Sequence, residues 1–76
     1  MDEVHTIGEK IKQWRKERNI SRKELSFLSY THYTHLMNIE NGKANPQMKT
    51  LLRILDALDV ELEEVILEKN EISEPK

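Results

Sequence analysis

Apolar residues recur along this chain at spacings of three and four and nowhere alternate for long, a pattern that predicts helices and no strands. Ile7, Ile11 and Trp14 form one stripe and predict a first helix from about Val4 to Arg18, stopped by Asn19 where glycine is usual. Ser21-Arg22-Lys23-Glu24 reads as a capping box that opens a short second helix, about Arg22 to Ser29, with Leu25 and Leu28 apolar. Tyr30-Thr31-His32 is then a break of three residues. Thr31 or His32 can cap a third helix that runs to Glu40 with Leu36 and Ile39 facing inward, and Asn41-Gly42 ends it. Asn45-Pro46 reads as the start of a fourth helix, Asn45 capping and Pro46 taking the first helical position. Leu51, Leu52, Ile54, Leu55 and Leu58 give that helix a wide apolar face. Leu62, Val65 and Ile66 predict a fifth helix ahead of a polar tail. The expectation is an all-α, compact five-helix bundle over residues 1–67, followed by a tail over 68–76.

Length and composition narrow what such a bundle does. Seventy-six residues make one domain, and a core this small gains by dimerising. With 37% hydrophobic and 34% charged residues the chain reads as folded, not disordered. No cysteine is present, which excludes disulfides and thiolate metal sites and fits a cytoplasmic setting. No apolar run reaches about 18 residues, and the first residues lack the basic and apolar regions of a signal peptide. The net charge of −2 hides an asymmetry. Residues 1–45 carry eight Lys/Arg against six acids, whereas residues 46–76 carry four against eight. The first half is therefore the side expected to meet a polyanion.

Two short helices joined by a three-residue turn form a helix-turn-helix unit, whose second helix fits the DNA major groove. From Ile7-Gly8-Glu9 through Val65 the sequence resembles the Cro/repressor (XRE) type of helix-turn-helix domain. The matching stretches are residues 7–18, Ile20-Ser21 with Glu24-Leu25, Leu36, Ile39-Glu40-Asn41-Gly42-Lys43, Asn45-Pro46 and residues 50–55. The resemblance implies a lambda-repressor-like fold and a sequence-specific DNA-binding regulator acting as a homodimer on a palindromic operator. The chain also departs from the family's pattern. Gln is usual at Arg22, where it holds a phosphate and braces the third helix; arginine can hold a phosphate, and the bracing is left open. Ala is usual where Ser26 stands, and serine is small enough to keep the helices close. Gly-Val is usual where the turn has Tyr30-Thr31, and tyrosine at a positive φ is strained, so the turn is expected to differ. Leu is usual at Ser29, and Phe27 or Leu28 is expected to repack into its space.

Under that resemblance His32, Tyr33, Thr34 and Asn38 occupy positions that touch bases. Asparagine pairs with adenine, and threonine reaches a phosphate or a thymine methyl. Phosphate contacts fall to Ser21, Arg22, Asn41, Lys43 and Asn45, while Arg15 and Glu40 occupy positions that form a partly buried ion pair. Leu62, Val65 and Ile66 are shared between the core and a two-fold interface. His32 and His35 have the i, i+3 spacing of metal ligands, but with only His5 and scattered carboxylates to complete a site, no metal and no cofactor is expected. No Gly-rich phosphate loop and no nucleophile–base set stands at a motif spacing, so the chain is not expected to be an enzyme. The partners expected are double-stranded DNA and a second copy. An alternative is an antitoxin that binds a protein toxin, pairing residues 55–63 as a strand across a dimer; another is that residues 68–76 begin a linker to a sensor domain.

Overall fold

The computed structural model describes residues 3–61, with side chains from residue 7 onward, and places four helices there. They are α1 (Glu3–Glu17), α2 (Arg22–Leu28), α3 (Tyr33–Glu40) and α4 (Met48–Leu58), with no strand among the described residues. The sequence pattern predicts five helices; the segment of the fifth, with Leu62, Val65 and Ile66, lies outside the described residues, as does the tail.

All four helices stop by the same device. A residue one or two positions past each end takes the left-handed conformation: Asn19 (φ 56), Tyr30 (φ 54), Gly42 (φ 77) and Asp59 (φ 61). The next N–H then reaches back five residues: Ile20 to Arg15 O (3.1 Å), Thr31 to Ser26 O (3.1 Å), Lys43 to Asn38 O (2.8 Å) and Val60 to Leu55 O (2.9 Å). This is the Schellman closure, which satisfies carbonyls that a helix end leaves open. Thr31 and Val60 are buried at 4% and 6% exposure, so the closure also turns the chain back onto the core.

Tyr30 corrects an expectation. The turn keeps the left-handed residue although that residue is a tyrosine. Three further bonds hold it there: Ser26 Oγ donates to Thr31 O, Thr31 Oγ1 donates to Ser29 O at 3.1 Å, and Ser29 Oγ donates to Leu25 O at 2.7 Å. A strained residue persists where its surroundings over-determine it.

The core is built from Ile11, Leu25, Leu36, Ile39, Ile54, Leu55, Leu58 and Val60, with Ile7, Trp14, Ile20, Ala44, Leu51 and Ala57 packed against it. Leu28 and Leu52, assigned to inner faces, are each 44% exposed. Phe27 and Leu28 do not fill the space beside Ser29. Phe27 is 79% exposed, because two steps of about 100° along the helix point it away from buried Leu25. Ser29 is instead fully buried, its hydroxyl satisfied by its own helix and its carbonyl taken by Arg53 Nε from α4 at 3.0 Å.

The start of α4 also differs. Its N-cap is Gln47, two residues beyond Asn45, and no side-chain bond caps it. Lys43 N and Ala44 N both donate to Asn38 O, at 2.8 and 3.2 Å, which ties the chain to the end of α3. The backbone therefore crosses residues 45–47 without helical structure before α4 begins.

Gly8 permits a close approach of two helices. A Cβ placed there would lie 2.0 Å from Ile39 O, so α1 and the end of α3 meet backbone to backbone. That contact positions everything α3 carries.

Candidate nucleic-acid interface

Helix α3 turns Leu36, Ile39 and Glu40 into the protein. Steps of about 100° per residue then place Thr34 and Asn38 on the opposite side. Thr34 is exposed and Asn38 half-buried, with half-buried Met37 beside them. Tyr33, 45% exposed, does not share this face. It lies about 100° from Thr34 and about 140° from Asn38, on the flank that Glu40 also occupies. Of the residues expected at bases, helical geometry thus sets Thr34 and Asn38 together and Tyr33 to one side.

On that flank three charged side chains meet. Glu40 is 2% exposed, and its carboxylate accepts from Arg15 Nε at 2.8 Å and Arg15 Nη2 at 3.0 Å. Arg15 Nη1 donates also to Ile20 O at 3.0 Å, which fastens the loop after α1 to the same group. Arg22 Nε donates to Glu40 Oε1 at 3.2 Å, and its guanidinium carbon lies 5.9 Å from the centroid of the Tyr33 ring. Burial opposes the charge on Arg22, but hydrogen bonding to Tyr33 and Glu40 and attraction to Glu40 outweigh it and raise its pKa above the ordinary arginine value. Two cations thus share one buried carboxylate, and the cluster as a whole is positive. Arginine at position 22 does brace α3, through Glu40.

The other assigned residues are placed as follows. Ser21 is the N-cap of α2, and its Oγ accepts from Glu24 N at 3.0 Å. His32 is the exposed N-cap of α3 and makes no side-chain cap bond. Asn41, the C-cap of α3, and Lys43 and Asn45 are all exposed along the connection to α4. Leu62, Val65 and Ile66 lie outside the described residues. Sequence reasoning did not find the roles of Gly8 or Arg53. Glycine within a helical run is a weak signal of close packing, and nothing in the sequence ties position 53 to 29. Among the described residues no group of three His, Cys, Asp or Glu could hold a metal ion, and no helix is long and apolar enough to cross a membrane.

Residues 11–65 match the helix-turn-helix family profile. The chain belongs to the helix-turn-helix family. Within it, the chain is of the Cro/repressor (XRE) type. An immunity repressor protein of Bacillus phage phi105 is 30% identical over 69 residues, which is 91% of this chain and 48% of that repressor. The chain thus spans about half the length of the curated relative it matches. Among solved structures, the restriction–modification controller protein C.AhdI from Aeromonas hydrophila is 26% identical with a TM-score of 0.78, over 82% of this chain and 94% of that one. A variant of a second restriction–modification controller protein matches with a TM-score of 0.80 and 23% identity, over 95% of this chain and 94% of that one, a likeness of fold alone. In helix-turn-helix terms α2 and α3 are the motif, and α3 is the helix that such folds place in the major groove.

Proposed function

We propose that this chain is a sequence-specific DNA-binding transcriptional regulator, a repressor or controller that acts in the cytoplasm as a homodimer on a palindromic operator. The observation that carries the reading is the division of α3. Its inner side is locked by Leu36, Ile39 and the buried Glu40, while Thr34 and Asn38 face outward with polar groups suited to base edges. The names of a repressor and a controller among the relatives point the same way and do not favour the antitoxin alternative. Those relatives are regulators and not enzymes.

Thr34 and Asn38, with His32 at the mouth of the helix, read bases. Ser21, Arg22, Asn41, Lys43 and Asn45 hold phosphates and set register, a contribution that carries no sequence information. Two copies joined through Leu62, Val65 and Ile66 set their recognition helices about 34 Å apart and read half-sites one turn apart.

The test is to select an operator from random duplexes and compare it with a mixed-sequence duplex. Asn38→Ala is expected to cost roughly 1–3 kcal/mol on the selected operator and to leave the mixed-sequence duplex unaffected. An unchanged ratio of the two affinities would mean that α3 is not the reading helix.

A further inference from the structure

The Arg22 guanidinium is held from two directions. Its Nε is bonded to Glu40, and its central carbon lies over the Tyr33 ring, 5.9 Å from the centroid. Glu40 takes the Nε of Arg22 at 3.2 Å, and the arginine side chain stays 23% exposed. Glu40 cannot shift to follow Arg22, because two bonds from Arg15 fix it at 2.8 and 3.0 Å. A long cationic side chain ordinarily loses much rotamer freedom when it grips a phosphate. Here the carboxylate and the ring remove most of that freedom beforehand, so the grip costs less.

We infer that Tyr33 is a positioning residue for a phosphate-holding Arg22 and not a reader of bases. The ring and the guanidinium form one unit with Glu40: an anchored arginine whose exposed part meets the DNA backbone. The flank position of Tyr33, about 100° from Thr34, keeps it away from the face that meets the base edges. The unit links two elements of the motif, since Arg22 belongs to α2 and both Tyr33 and Glu40 to α3. A phosphate held by Arg22 therefore sets the position of α3 directly. This inference rests on the DNA-binding reading above and assigns Tyr33 a different part in it.

The test uses anisotropy titrations of a short mixed-sequence DNA duplex and of a selected operator, across a range of sodium chloride concentrations. The proteins are the unaltered chain, Arg22→Ala, Tyr33→Ala, Tyr33→Leu, Tyr33→Phe and the double variant Arg22→Ala with Tyr33→Ala. Tyr33→Leu preserves apolar bulk without a ring face, which separates stacking from packing. Tyr33→Ala and Tyr33→Leu are expected to weaken both duplexes alike, by roughly two- to five-fold, the worth of an exposed cation–π contact. Tyr33→Phe, which keeps the ring and loses the hydroxyl, should fall between the unaltered chain and Tyr33→Leu. In the Arg22→Ala background Tyr33→Ala should do no further harm, and Arg22→Ala alone should lower the salt slope by about one. Loss on the selected operator with an unchanged mixed-sequence affinity would make Tyr33 a base reader and overturn the inference. Additive losses in the double variant, or a Tyr33→Leu variant that binds as well as the unaltered chain, would overturn it too. If the unaltered chain binds neither duplex at low salt, the DNA-binding reading falls and takes the inference with it.

Discussion

The two ends of α3 are built by different means. At its C-terminal end stands Glu40, 2% exposed and paired with Arg15 and Arg22, beside a backbone contact with Gly8 and a left-handed Gly42. At its N-terminal end stands His32, a cap without a side-chain bond, after a tyrosine held left-handed and 83% exposed. The far end is fixed by a buried ion pair and by helix-on-helix contact, the near end by hydrogen bonds of the turn, by Arg53 on Ser29 O and by the Arg22–Tyr33 contact. What the difference teaches is where orientation is secured. The strong interactions sit on the core side and at the end of α3, so the outward side chains Thr34 and Asn38 carry little of the fold's stability. A surface arranged this way can change what it reads without unfolding what holds it.

The largest effect is expected at the fixed end. Glu40→Gln leaves Arg15, 7% exposed, without its counterion, and removing one partner of a buried pair costs about 3–5 kcal/mol. In a domain of this size that is a large part of the total stability, and urea denaturation would read it as a midpoint far below that of the unaltered chain. A loss under about 1 kcal/mol would show that the pair behaves as a surface one and that the two ends are not so different.

Gly8→Ala probes the same end through the backbone. Alanine is the better helix former by about 1 kcal/mol, so propensity alone predicts stabilisation. The new Cβ would fall 2.0 Å from Ile39 O, a backbone atom that cannot rotate aside, so α1 and α3 must separate. The expected net result is a loss of about 1–3 kcal/mol, seen as a lower melting temperature. A rise in melting temperature would mean that the approach at Gly8 is not tight.

The smallest effect, and one of opposite sign, belongs to the near end. Tyr30 sits at φ 54 with its side chain 83% exposed, so glycine would relieve strain without removing packing. Strain relief of about 1–2 kcal/mol, less the greater chain entropy of glycine, leaves a gain on the order of 0.5–1 kcal/mol. Destabilisation by Tyr30→Gly would show that the exposed ring makes a contact the fold needs.

How far the sequence revealed this molecule depends on the range of the interaction concerned. Features set by neighbours along the chain were legible. Asn19 and Gly42 mark helix ends because few residues tolerate a left-handed backbone, and Ser21 caps α2 because its oxygen lies within reach of the N–H three residues on. Leu25, Leu36, Ile39, Ile54, Leu55 and Leu58 are inside because a helix that repeats every 3.6 residues shows one face to the core. Even so, local signals misled where a distant bond prevailed. Asn45-Pro46 has the residues of a helix start, but the hold of Asn38 O on Lys43 and Ala44 delays α4 to Met48.

The order of α1 to α4, the helix stops at Asn19 and Gly42 and most of the residues that make the core are therefore written in the chain itself. Those follow from sterics and periodicity within a few residues. Only the tertiary structure decided which side chains meet across the fold. It set Arg22 between Glu40 and Tyr33, gave Ser29 O to Arg53, and pressed Gly8 against Ile39. Residues 22 and 40 lie 18 positions apart, and no periodicity along the chain encodes that distance. Their meeting depends on how α1, α2 and α3 cross, which is fixed by the packing of all the core side chains at once.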